Sequence, residues 1–133
     1  MRDEDLLALI ADHMEGGLLE NIIDMFKHDP TLHRLLPGLI ADERGRVRLG
    51  TAALVESLME EHREELALRV PALCELLAHE DPVVKGDVVY LLGAIGSEEA
   101  LACLRSASER EHDPRIRELI EETAAEISGG SAG

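Results

Sequence analysis

Aromatic residues are almost missing from this chain of 133: Phe26 and Tyr90 stand alone, and there is no tryptophan. A core must then be assembled from Leu, Ile, Val and Ala on closely packed helices, and strands, which favour aromatic and β-branched residues, are not expected. Positive charge is also scarce, with 13 Lys and Arg against 28 Asp and Glu and a net charge of −15. That balance argues against a phosphate backbone or an anionic membrane surface as partner. No apolar run reaches the length of a membrane span, and Met1-Arg2-Asp3-Glu4-Asp5 lacks the cationic-then-apolar order of a signal peptide. A cytoplasmic location is expected. Only two cysteines occur, Cys74 and Cys103, set among leucines with no Cys-x-x-Cys spacing. They are expected as buried small hydrophobes, not as a disulfide, metal ligands or a nucleophile.

What the chain does have is a recurring apolar face. Hydrophobic residues make up 45% of it, enough for a worthwhile core. Val84, Val88, Leu91 and Ile95 step by four, three and four residues, and the same steps join Val47, Thr51, Leu54 and Leu58 upstream and Ile116, Ile120, Thr123 and Ile127 downstream. Val47 to Val84 is 37 residues and Val84 to Ile116 is 32, the period range of helical repeats rather than of one closed bundle.

Taken in order, residues 3–14 and the Leu19, Ile22, Ile23 and Phe26 stretch predict a first hairpin around Gly16-Gly17. A third helix from Thr31 is expected to kink or shorten at Pro37-Gly38, and a fourth runs from about Gly45 to Glu61. Helix five is expected over 64–79 despite Pro71, helix six from Pro82 with Asp81 capping it, helix seven over 97–111, and helix eight from Asp113-Pro114 to about Ser128. Eight helices in four hairpins form one expected domain over 1–128: a capping hairpin (1–29), repeats over 30–62, 63–96 and 97–128, then a flexible tail over 129–133.

Leu36-Pro37-Gly38-Leu39 followed by Val47-Arg48, and Val70-Pro71-Ala72-Leu73 followed by Asp81-Pro82-Val83-Val84-Lys85, resemble the HEAT-repeat family. That family places a proline in the first helix of a pair, an Asp in the turn and a Val-Arg pair at the start of the second helix. Leu92-Gly93-Ala94-Ile95-Gly96 with Glu99-Ala100-Leu101, then Asp113-Pro114-Arg115-Ile116-Arg117, is similar to the shorter repeats of phycobilin-lyase type. The likeness covers roughly residues 31–128, departs from the pattern in the first hairpin and has Lys85 in place of an arginine. It implies an all-α solenoid of about four helical hairpins acting as a protein-binding scaffold, and it brings no catalytic residues with it.

With the repeated lattice inward, the second helix of each pair offers its other face to a partner. The expected groove residues are Arg46, Leu49, Ala53 and Glu56 on helix four, Tyr90 on helix six, and Arg115 and Glu122 on helix eight. Val83, Gly86, Gly93 and Glu118 lie at matching positions. Tyr90 is the sharpest candidate, because a rigid apolar ring with a polar tip suits a contact hot spot; packing between repeats is its alternative. Arg48, Lys85 and Arg117 are expected to meet Asp42, Asp81 and Asp113 in a structural ladder, while Arg44 and Arg46 are left as a local basic spot. The six histidines form no His-x-x-x-His pair and cluster near expected helix ends, and no phosphate loop is present, so neither metal nor cofactor nor enzymatic activity is expected. A protein or peptide is the expected partner. A bilin-handling accessory lyase is the alternative, and self-association into a longer array is a third reading.

Overall fold

A computed structural model describes residues 1–132. Nine α-helices alternate with short turns, and no strand occurs among the described residues. They are α1 (Asp3–Glu15), α2 (Leu19–His28), α3 (Leu36–Ile40), α4 (Gly45–Leu58), α5 (Arg63–Ala67), α6 (Val70–Glu75), α7 (Pro82–Ile95), α8 (Glu98–Arg110) and α9 (Pro114–Ala132). The all-helical, hairpin-by-hairpin organisation expected from the apolar periodicity is thus present. The last helix runs through Ala132, over most of the stretch expected as a tail, and Gly133 lies outside the described residues.

Two of the expected helices are interrupted. The third begins as a 3-10 stretch, Pro30–Leu35, before turning into α3. The fifth is cut in two: α5 stops at Ala67 and α6 starts at Val70, passing into a 3-10 turn at Leu76–Ala78. Pro71 has no amide hydrogen to give to the carbonyl four residues back, and its ring crowds that carbonyl. The carbonyl in question belongs to Ala67, where α5 ends. The break coincides with the division of the chain into two compact units, Met1–Arg69 and Val70–Gly133.

In the first unit α4 packs on α1, α2 and α3. Its Val47, Thr51, Leu54 and Leu58 are sealed from solvent. The Thr51 hydroxyl is satisfied there by donating to the Val47 carbonyl at 2.8 Å. Gly38 lets α1 approach α3, since a Cβ at this position would stand 2.7 Å from Leu7 Cδ2.

In the second unit α7 is clasped by α6, α8 and α9. Val84, Val88, Leu91 and Ile95 are buried, as are Leu66 in the first unit and Val70, Leu73 and Leu77 from the broken fifth helix. The third copy of the lattice holds at Ile120, Thr123 and Ile127, whereas Ile116 is only half-buried. Gly96 ends α7 in the left-handed region at φ 62°, which suits glycine. Ser97 then caps α8, its hydroxyl accepting the Ala100 amide at 3.1 Å.

The cysteines correct the sequence reading. Cys74 on α6 and Cys103 on α8 are joined in a disulfide, with their Cα atoms 6.1 Å apart. Separated by 29 residues with no motif between them, they meet only because α6 and α8 are neighbours. Burial was rightly expected at Cys103, whereas Cys74 is half-buried, and the approach of the two sulfurs across neighbouring helices is one that no spacing rule along the chain can reveal.

Candidate functional site

The turns that open α4, α7 and α9 share one chemistry. At Asp42, His79 and Glu111 a side-chain acceptor takes the backbone amide two residues on: Arg44 N at 2.8 Å, Asp81 N at 3.0 Å and Asp113 N at 3.1 Å. These three positions are 37 and 32 residues apart, the offsets of the buried lattice, so polar turn and apolar face keep the same register. Asp81 and Asp113 then cap α7 and α9 by accepting the amides of Val83 and Arg115, each at 2.9 Å.

The expected ladder differs in its partners. Arg48 donates to the backbone carbonyls of Asp42 at 2.7 Å and Glu43 at 2.8 Å, and Arg117 donates to the Glu111 carbonyl through Nε at 3.0 Å. Each guanidinium therefore straps its turn through main-chain oxygen. Lys85 reaches across to Glu111, with Nζ 2.9 Å from Oε1 and 3.2 Å from Oε2 in a largely buried pair. Burial pulls the Glu111 carboxyl upward, but the Lys85 hydrogen bond, the Asp113 amide and the Lys85 charge together hold it below its ordinary range. Glu111 was not anticipated from the sequence, although its place 32 residues after His79 was the available signal.

The basic spot expected at Arg44 and Arg46 is also corrected. Arg44 forks onto Asp42 at 3.0 and 3.1 Å and bonds Asp12 on α1 at 2.9 Å. The hydrogen bond from Arg44 is the main reason the Asp42 carboxyl lies below its usual range. Arg46 donates to the Glu15 carbonyl at 3.3 Å. The α4 face that carries Arg46 also shows Leu49, 73% exposed, with Ala53 half-buried and Glu56 exposed.

In the second unit the N-terminal halves of α7 and α9 border an open groove of about 680 Å³. Pro82, Val83, Ile116 and Leu119 supply its apolar surface, and Asp113, Arg115, Glu118 and Glu122 its polar edge. Gly86 keeps one side low, a Cβ there lying 3.9 Å from Leu119 Cδ2. Val83 is 54% and Leu119 37% exposed, and Tyr90, two turns along α7 from Val83, is 53% exposed. Arg115 and Glu122 both line this groove. Tyr90 lies outside the groove lining, farther along the same helix. Leu119 was missed, although it is an apolar residue one position out of step with the Ile116–Ile120 lattice.

Of the histidines, His13 and His28 bond carbonyls four residues back, each at 2.8 Å, in the last turns of α1 and α2. His33 is different: it is 2% exposed, stacked 6.1 Å from Phe26, with the His62 ring edge-on at 5.6 Å. Burial holds its pKa below the usual imidazole range. Among the described residues no group of three or more His, Cys, Asp or Glu could hold a metal ion. Nor is any helix long and apolar enough to cross a membrane.

Comparison with curated proteins and with solved structures finds no match. The family model for HEAT repeats, by contrast, matches residues 32–125, from the 3-10 stretch before α3 into α9. The match does not single out the phycobilin-lyase variety. Because that match spans well over half of its length, the chain belongs to the HEAT-repeat family, an all-α solenoid class.

Proposed function

We propose that the chain is a non-enzymatic adaptor that binds another protein or a peptide, and that in its second unit the contact surface is the α7–α9 face. HEAT repeats are commonly scaffolds for protein partners. One observation carries the finer reading: Val83, Tyr90 and Leu119 are all exposed there, around a residue, Gly86, that leaves room beside them. Scattered apolar residues on a surface need no explanation, but three on one face, two of them lining a groove, form the core of a contact site. Arg115 and Glu122 serve as rim, where charge sets specificity more than affinity. The α4 face with Arg46, Leu49, Ala53 and Glu56 is a second, smaller contact surface in this reading.

Tyr90→Ala and Leu119→Ser test it, since both side chains reach solvent and neither substitution opens the core. Each is expected to weaken binding of a partner isolated from the native host by roughly tenfold or more while leaving the unfolding temperature within a few degrees. Unchanged partner affinity in both variants, or a loss of thermal stability with binding intact, would reject this face.

A further inference from the structure

We infer that the α7–α9 groove takes a cationic amphipathic helix, with aliphatic side chains laid on Val83, Ile116 and Leu119 and lysines or arginines on the Glu118–Glu122 edge; this rests on the α7–α9 face being the contact surface. Three carboxylates and one guanidinium line the groove. Arg115 is turned to Asp113, which caps α9, with Nε 3.7 Å from Oδ1. Glu118 and Glu122 have no ion pair or side-chain hydrogen bond among the described residues.

Placed four apart on one helix, Glu118 and Glu122 repel each other, a small standing cost to the free protein that an incoming cation relieves. The apolar strip beside them excludes a purely electrostatic ligand as the best fit, because Val83 and Leu119 gain only from apolar contact. The partner's backbone is constrained as well. Two helices border the groove and present no strand edge, so an extended peptide would find no ladder for its amides and carbonyls, whereas a helix satisfies its own. Spacing of the apolar anchors at i, i+3 or i+4 and i+7 follows from that geometry.

The test uses the full chain and three synthetic peptides with the same leucine face, their polar face built of lysine, glutamine or glutamate, titrated by fluorescence anisotropy at low and high salt. The lysine peptide is expected to bind saturably and to weaken as salt rises. Glu118→Lys with Glu122→Lys is expected to weaken it by roughly tenfold or more, and Leu119→Ser by a similar factor. Glu20→Lys with Asp24→Lys changes the net charge equally on an exposed i, i+4 pair of α2, away from the α7–α9 groove lining, and is expected to leave the affinity within about twofold. Circular dichroism confirms that each variant keeps its helices.

An equal loss in the α2 control means diffuse attraction to an acidic protein and overturns the inference. Equal binding of the glutamine or glutamate peptide overturns the cationic class but leaves the α7–α9 face standing. If Leu119→Ser has no effect on the lysine peptide, the peptide does not lie in this groove and the inference fails, the native-partner measurements on Tyr90→Ala and Leu119→Ser then deciding the face. Absence of saturable binding by the lysine peptide refutes the inference alone, the Tyr90→Ala measurement on the native partner then deciding the face.

Discussion

Removing the Cys74–Cys103 bond should loosen the second unit and spare the first. The perturbation is Cys74→Ala with Cys103→Ala, alanine being chosen so that no hydroxyl is left at the buried Cys103 position. A cross-link over 29 residues restricts the unfolded chain, and the loop-closure relation assigns it about 12 cal/mol/K, or about 3.6 kcal/mol at 25 °C. The structure supports a large effect, because α6 is only six residues long, is cut off from α5 at Pro71, and is tied to α8 by this bond. Residual structure in the open chain reduces the figure toward about 2 kcal/mol. Urea unfolding followed by circular dichroism, for the native protein with and without a phosphine reductant and for the double variant, reads the change as a lower midpoint. Hydrogen exchange locates it: amides of α6 and α8 lose protection while those of α1, α2 and α4 do not. Coincident midpoints for all three samples would refute the entropic argument, and two titratable thiols in the unreduced native protein would refute the bond. The measurement bears on location too, since cytoplasmic thiols are ordinarily kept reduced and a standing cross-link belongs to an oxidising compartment.

Acid should weaken the first unit. The His33 pKa is lowered by burial, so the unfolded chain binds a proton more readily; stability is at its full value above about pH 6.5 and falls as pH drops below it, by at most about 1.4 kcal/mol per unit. The Phe26 carbonyl, His62, Glu65 and Arg69 face the ring, and only the carbonyl and Glu65 favour its charged form. Thermal melts from pH 7 to 5 check this, and His33→Phe should flatten the trend. Glu111→Ala leaves Lys85 buried without its partner and frees the Asp113 amide, with an expected cost of about 3 kcal/mol in urea unfolding. Gly93→Ala would put a Cβ 2.7 Å from Thr123 Cγ2, a methyl on a stiff β-branched residue. It should destabilise by about 1 kcal/mol or more despite the gain in helix propensity, and Thr123→Ser, which removes that methyl, should turn the same substitution favourable.

The helices were legible where the apolar lattice was regular. Val47, Val84 and their successors repeat at the period of a helix, and a helix with one apolar stripe has a single way to bury it. The fifth helix was misjudged because the same lattice runs on through Leu66, Val70 and Leu73, hiding the backbone defect at Pro71. Periodicity reports which face is buried; continuity of the helix depends on amide hydrogens, and proline lacks one. The groove was half visible: Arg115, Glu122 and Val83 came from counting positions opposite the lattice, whereas Leu119, one step out of register, was absorbed into the apolar average.

By itself, then, the chain specified local chemistry: where helices start at Asp81-Pro82 and Asp113-Pro114, where α7 stops at Gly96, and which residues face inward. Those features act between residues a few positions apart, so neighbours along the backbone suffice to set them. Tertiary structure alone decided that Cys74 finds Cys103, that Lys85 chooses Glu111 over Asp81, that Arg44 is held by Asp12, and that Val83 shares a groove with Leu119. Each of those pairings is separated by some thirty residues and depends on which helices come to lie side by side, a distance in space that no spacing along the chain encodes.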